Sequence, residues 1–315
     1  EALRCDVEKK PLDVCFGTVD SWLLWQLTGS VPKSATTGRR LKGHADEVNV
    51  GGVFRTDVTN ASRWLFMDLE TCKWDSDSIA KVCAPHTLPE STLPEICPSS
   101  HVFGTIADCG LPAGLAGVPL ASVLGDQQAA LFGQAAFEKG QAKNTYGTGL
   151  FLMMNTGTSP IPSTHGLLTT VAYQVGQDEV RYALEGSVSH SGSTIQWLRD
   201  NLSIIESAHD SETLARTTKS NEGSYLVPAF AGLFAPHWRS DARGCIVGMT
   251  TRHHKGHICR AALEAAAYQT KEVFDAIVEE SNIQVQSLKV DGGGSHNRLL
   301  MQFQADRIQA PVVIP

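Results

Sequence analysis

The chain has 315 residues and a formal net charge of −7, with 42% hydrophobic and 19% charged residues. That is an ordinary globular composition, long enough for a large core and two domains. The acidic balance gives no basic footprint for nucleic acid and no basic amphipathic helix for a membrane surface, and no run of about 18 apolar residues predicts a transmembrane span.

Eight cysteines (Cys5, Cys15, Cys72, Cys83, Cys97, Cys109, Cys245 and Cys259) occur without a C-x-x-C pair or a signal peptide. They are expected to be free thiols in a reducing, cytoplasmic compartment. The first residue is Glu1 and the last apolar run ends at Pro315, so the expectation is a piece of a longer protein. Glu1 to Pro11 is charged and reads as the end of an element begun upstream. Cys15 to Gly29 predicts a helix capped by Thr18 or Asp20 and stopped by Gly29, with Trp22, Leu23, Trp25 and Leu27 facing the core. Val31 to Phe54 is rich in Lys, Arg, Gly and His without periodicity, which predicts an exposed loop or insertion. Within it Arg39, Arg40 and Lys42 read as solvated surface rather than as phosphate ligands. Thr56 to Leu69 predicts a short helix with Asp57 and Thr59 as cap candidates. Pro85 to Pro98 is a proline-studded connection, and Val102 to Leu124 supplies strands and turns.

The stretch Gly117 to Gly125 frames the apolar residues Val118, Leu120, Val123 and Leu124, which predicts a buried strand. Gln127 to Phe132 then carries helix formers. Asp126 therefore sits where a strand gives way to a helix, the edge at which open α/β sheets bind ligands. On those residues alone, its ordinary role is an N-cap. Lys143 to Asn155 reads as strand, tight turn, strand. Thr145, Gly147, Thr148 and Gly149 would let backbone amides approach a phosphate, with Thr148 adding a hydroxyl. Neither a Walker loop nor a dinucleotide fingerprint is present.

Gly166 to Tyr173 and Arg181 to Glu185 predict strands joined through Gly176 to Asp178. Glu185 to Asp200 is a small-residue loop entering a helix near Ser193. It reads either as an anion or nucleotide site at a helix N-terminus or as a capped helix with Ile195, Trp197 and Leu198 in the core. Leu226 to Gly232 is a strand and loop, and Ile258 to Val278 a long amphipathic helix. Leu288 to Asn297 is a strand with a glycine turn, followed by the helix Arg298 to Arg307. Three strand-to-glycine-turn junctions in one α/β chain favour a nucleotide cleft. His253, His254 and His257 lack a carboxylate or cysteine at ligand spacing, so metal binding is not expected there, and no Ser-His-Asp or Cys-His order has motif context.

The segments F-G-T-V-D-S-W-L-L-W-Q-L-T-G, T-D-V-T-N-A-S-R, G-D-Q-Q-A-A-L-F-G-Q, K-N-T-Y-G-T-G, H-G-L-L-T-T-V-A-Y, I-Q-W-L-R-D and L-M-Q-F-Q-A-D, with Gly244 to Glu264, resemble the FGGY carbohydrate kinases, and within them the glycerol-phosphorylating branch. The resemblance implies an α/β, actin-like and ribonuclease-H-like two-domain ATPase fold that closes around ATP and a polyol. Residues 1–135 would be the C-terminal portion of an incomplete N-terminal, substrate domain, and 136–315 a nucleotide-binding domain truncated at its end. It implies ATP-dependent phosphorylation of glycerol to sn-glycerol 3-phosphate, with Asp126 as the general base and Mg²⁺ arriving with ATP near Asp126, without assigned protein ligands. Asp126, Gln127 and Phe151 match glycerol-binding positions. Thr148, Gly192, Gln196, Gly293 and Asn297 match ATP-binding positions. A homo-oligomer, dimer or tetramer, is also implied.

The family's N-terminal phosphate loop and the Arg-Glu pair and Tyr that hold glycerol find no match, so the chain alone is expected to turn over little or no substrate. Ser189-His190-Ser191 and His237-Trp238-Arg239-Ser240 depart from the family pattern. The rival readings are another FGGY polyol or sugar kinase and a non-catalytic nucleotide-binding relative.

Overall fold

The computed structural model describes residues 15–29, 52–108 and 114–315. The expectations for Glu1 to Pro11, for the Val31 loop up to residue 51, and for Arg39, Arg40 and Lys42 within it lie outside the described residues. Two compact units emerge: residues 1–125 with 173–179, and residues 126–172 with 180–315.

The first unit begins with α1 (Val19–Thr28). Its buried residues are Ser21 and Leu24, a narrow stripe at i, i+3 spacing. Trp22, expected in the core, is 59% exposed, because it lies about a quarter-turn from that stripe. Thr18 precedes the helix without capping it, its hydroxyl donating instead to Asp20. Next come β1 (Arg55–Asp57), α2 (Val58–Ala61), β2 (Met67–Asp68), β3 (Lys73–Trp74) and α3 (Ser76–Cys83). The segment expected to be a mere connection holds a 3₁₀ turn at Glu90–Thr92 and the strand β4 (Glu95–Cys97), which runs parallel to β1. Then β5 (Ser100–Thr105) pairs antiparallel with β6 (Pro119–Ser122). The predicted buried strand at Val118 to Leu124 is thus shorter and largely exposed. Its apolar residues do not alternate cleanly, and of them Leu120 and Val123 pack against the small core of Leu24, Cys97 and Phe103.

Asp57 ties this unit together. It is the N-cap of α2 and fully buried. Its carboxylate accepts from Thr59 N at 3.1 Å, Asn60 N at 3.0 Å, Asn60 Nδ2 at 2.8 Å and Ser99 Oγ at 2.7 Å, as well as from the Thr59 hydroxyl. Burial raises its pKa, and these donors act against that rise. Thr59 Oγ1 in turn accepts from Gly125 N at 2.9 Å.

The second unit opens with α4 (Asp126–Gly133). Its six-stranded sheet is drawn from β7 (Ala142–Tyr146), β8 (Leu150–Gly157), β9 (Leu168–Tyr173) and β10 (Arg181–Val188), with β13 and β14 further along the chain. Between them lie α5 (Gly192–Asp200), α6 (Asp210–Ala215), the ribbon of β11 (Tyr225–Val227) and β12 (Cys245–Val247), and α7 (Lys255–Ser281). β13 (Leu288–Asp291), α8 (Arg298–Ile308) and β14 (Val312–Val313) close it. The sheet order is β14-β13-β7-β8-β10-β9. β7, β8 and β10 pair antiparallel, whereas β13 runs parallel to both β7 and β14.

β8 is buried almost throughout, as a central strand covered on both faces must be. α7 packs over the sheet with Ala261, Ala262, Ala265, Ala266 and Ala267 buried, and these small side chains let neighbouring elements approach closely. The histidine cluster serves that helix: His254 Nδ1 accepts from Gly256 N at 3.2 Å and His257 Nδ1 from His254 N at 3.2 Å, a capping box. Among the described residues no three His, Cys, Asp or Glu side chains converge to hold a metal, and no helix is long and apolar enough to cross a membrane.

Asp57→Ala removes a cap and strands several buried donors, so it is expected to destabilise the first unit by about 2–4 kcal/mol. Urea unfolding checks this, and a change below about 0.5 kcal/mol would show that the network is not structural.

Candidate active site

The glycine turn between β7 and β8 is the starting point. Gly147 N donates to Gly149 O at 3.0 Å, closing the turn and presenting two carbonyls on its outer side. The first turn of α5 docks on them. Gly192 N donates to Gly147 O at 3.0 Å, and Ser191 N and Ser193 N donate to Thr148 O at 2.9 and 3.1 Å. The Ser193 hydroxyl adds a bond to the same oxygen at 3.0 Å. A Cβ at Gly192 would lie 2.5 Å from Gly147 O, so only glycine permits this approach. The amides at 191–193 are thus committed to protein carbonyls; of the residues the capped-helix reading put in the core, Leu198 is buried and Ile195 and Trp197 are half-buried, and Ser191 makes no side-chain cap.

β13 reaches the same turn from the other side. Gly292 has φ +81°, and a Cβ there would lie 2.5 Å from Tyr146 O. A 3₁₀ turn, Gly293–His296, follows, and Asn297 caps α8, accepting from Leu300 N at 2.9 Å. With α6 and α7 these junctions enclose a cavity of about 400 Å³, within the range of small-molecule sites.

Thr148, Gly192, Gln196, Gly293 and Asn297 all line the cavity. Ile195, Ala262, Leu263, Ala266 and Leu300 give it an apolar lining, and Arg199, His209, Ser211 and Glu212 a polar one. Sequence reasoning missed this second set. Arg199 engages Asp200 at 2.7 Å, and Glu212 accepts from Leu299 N at 3.2 Å, which ties α6 to the start of α8. No local pattern announces these contacts, because α6 meets α7 and α8 through tertiary folding.

The other predicted residues gather around α4, β7 and β8, outside the cavity lining. Asp126 is the first residue of α4 rather than a residue capping it from outside. It is exposed, and its Oδ1 accepts from Gln127 N at 2.7 Å. Gln127 and Phe151 are half-buried, and a residue that sequence reasoning passed over links them. Lys143, wholly buried on β7, donates from Nζ to the Gln127 side-chain oxygen, to Thr145 Oγ1 at 3.0 Å and to the Phe151 carbonyl at 3.3 Å. Burial pushes its pKa down to about 8, while Asp291, Glu185 and Asp126 pull it back up. The available signal was a lysine at the head of a strand that is otherwise core.

The two departures from the family pattern make local contacts. Ser189 Oγ meets His190 Nδ1 at 2.8 Å, and the His190 ring stands edge-on to Phe230 at 5.3 Å. Trp238 Nε1 donates to Gly166 O at 2.6 Å, and His237 meets Glu272 at 3.2 Å. Of these residues Ser191 lines the cavity, whereas His190 and His237 do not.

The depressed pKa of Lys143 carries a pH signature. Its folded value of about 8 lies below the ordinary 10.5, so between those values the unfolded chain holds more protons and stability rises with pH. Relative to Lys143→Met, the wild type is expected to gain up to about 3 kcal/mol on going from pH 8 to 10.5. Urea unfolding of both at the two pH values checks this, and a constant difference would contradict it.

The comparisons with known proteins bear on family and fold. The N-terminal domain of the FGGY family of carbohydrate kinases matches residues 6–133, and the C-terminal domain matches residues 142–315. The glycerol kinase of Clavibacter michiganensis is 54% identical over 303 residues, covering 96% of this chain and 55% of that protein. The crystal structure of Plasmodium falciparum glycerol kinase with ADP superposes with a TM-score of 0.80 at 37% identity, covering 95% of this chain and 54% of that one. A xylulose kinase from Brucella ovis, at 19% identity and a TM-score of 0.73 over 84% of this chain and 53% of that one, shares the fold. The chain spans about half the length of the curated relatives it matches. Its fold is the actin-like, ribonuclease-H-like α/β fold of these kinases, with an antiparallel β7-β8-β10 run flanked by parallel β13 and β14. Sheet, junctions and both domain matches lead to one conclusion: the chain belongs to the FGGY family of carbohydrate kinases.

Proposed function

We propose that the whole protein transfers the γ-phosphoryl group of ATP to glycerol, giving ADP and sn-glycerol 3-phosphate. The observation that carries this reading is the convergence of Thr148, Gly192, Gln196, Gly293 and Asn297, spread over 150 positions, on one cavity. In this reading the cavity takes the nucleotide. The apolar surfaces of α5 and α7 face its base, and the glycine turns leave room for its phosphates. Residues 1–135 then belong to the substrate domain and 136–315 to the nucleotide-binding domain. Glycerol as acceptor is supported by the glycerol kinases among the relatives.

Phosphoryl transfer rests on positioning and on neutralising charge. Asp126 is the general base: its carboxylate takes the proton of a terminal glycerol hydroxyl as that oxygen bonds to the γ-phosphorus. The bond from phosphorus to the β–γ bridging oxygen breaks, and ADP leaves with the electron pair. The exposed position of Asp126 leaves an oxygen free for that proton, while its Oδ1 is steadied by Gln127 N. Gln127 and Phe151 bound the acceptor side.

Mg²⁺ fits this donor set as a passenger of the phosphates. No three-ligand protein cage is present among the described residues, and Mg²⁺ in such sites is commonly held by one or two carboxylates besides the nucleotide. It would arrive with ATP near Asp126, and its charge would offset that of the phosphates.

Glycerol-dependent ADP release by the full-length protein tests the assignment. Asp126→Asn is expected to lower it by about 10²–10⁴ while ADP still binds. Unchanged turnover in that variant would remove Asp126 from the mechanism, and a preference for a pentulose would replace glycerol as the acceptor. Gln196→Ala is expected to weaken nucleotide binding about tenfold while leaving the glycerol KM in place. Calorimetry with ADP checks this, and unaltered affinity would detach the cavity from the nucleotide.

A further inference from the structure

A lysine ammonium has three donors and no acceptor. Lys143 uses all three: one on the Gln127 side-chain oxygen, one on Thr145 Oγ1 at 3.0 Å and one on the Phe151 carbonyl at 3.3 Å. Because the ammonium cannot accept, the Gln127 atom facing it is the amide oxygen. The amide nitrogen, with its two donors, therefore faces away from the lysine.

Gln127 and Phe151 are also the two residues placed beside Asp126 on the acceptor side. One buried cation therefore fixes the side-chain orientation of the first and the backbone of the second. Holding it there is costly, since Lys143 has no exposed surface. An apolar side chain of similar volume would fill the space without desolvating a charge. The ammonium does something that such a side chain cannot, which is to orient an amide.

We propose that Lys143 is a positioning residue for the phosphoryl acceptor, holding Gln127 with its NH₂ group toward glycerol and thereby setting glycerol affinity without touching either substrate. This rests on the reading of Gln127 as an acceptor-facing side chain. Thr145 completes the ammonium's coordination and keeps it from following Gln127 if that side chain turns.

The test is a double-mutant cycle in the full-length enzyme with Lys143→Met, Gln127→Ala and the pair, reading the KM for glycerol, the KM for ATP and kcat. Each single variant is expected to raise the glycerol KM about tenfold and to leave the ATP KM within about twofold. The pair is expected to be no worse than the larger single effect by more than about twofold, since both changes break the same contact. A lysine that merely supported the fold would raise both KM values, and its effect would add to that of Gln127→Ala. Either result overturns the inference. A Gln127→Ala variant with an unchanged glycerol KM overturns the acceptor-side reading and the inference with it. A raised KM in Gln127→Ala beside an unchanged one in Lys143→Met overturns the inference alone. If Lys143→Met does not fold, Lys143→Gln, polar but uncharged and one atom too short to keep the contact, takes its place in the cycle with the same expected non-additivity at Gln127.

Discussion

The docking of the α5 N-terminus onto the β7–β8 turn is the contact from which the rest of the site follows. Three successive amides, at Ser191, Gly192 and Ser193, donate to the carbonyls of Gly147 and Thr148. Backbone can approach backbone this closely because there is no Cβ at Gly192. The contact fixes where α5 starts, and so where Gln196, one turn later, faces the cavity. It also explains an economy in the site. The amides that a free helix end would offer to an anion are spent on building the wall. Gly292 plays the matching part at the end of β13, where its positive φ lets the chain turn against Tyr146 and start the 3₁₀ turn that carries Gly293. The cavity is thus a consequence of two backbone approaches, with side chains lining what the glycines leave open.

A second constraint is electrostatic. Lys143 is buried within a strand and faces the combined influence of Asp291, Glu185 and Asp126. Charges removed from water persist when their hydrogen-bonding capacity is met, and here every ammonium proton has an acceptor. The same logic holds at Asp57 in the first unit, an anion surrounded by backbone and side-chain donors. Each buried charge orients neutral polar groups: Gln127 and Thr145 around the cation, Thr59, Asn60 and Ser99 around the anion.

Much of this was legible in the sequence where a residue's role is local. Glycines at strand ends announced the turns at Gly147 to Gly149 and at Gly292 to Gly294, and the small residues before Ser193 announced the start of α5. The 3.6-residue pattern gave α7. What escaped depended on long-range packing. Lysines in strands usually reach solvent, and nothing near Lys143 shows that residues 127 and 151 will close over it. Ser211 and Glu212 join the cavity through the meeting of α6 with α7 and α8, whereas Arg199 reaches it from α5, one turn beyond Gln196. Trp22 was assigned to the core on hydrophobicity, but a helix buries one stripe, and in α1 Ser21 and Leu24 occupy it. β4 was hidden within a proline-rich stretch because three residues are too few to show a period of two.

The most direct test of the account is hydrogen exchange of the full-length protein with and without ADP, read at the three backbone segments that line the cavity. The account predicts added protection at residues 147–149, 191–196 and 292–297 on ADP binding, with residues 76–90 in the first unit unchanged. Binding of ADP that leaves those three segments unprotected would contradict the claim that the glycine-built cavity is the nucleotide site.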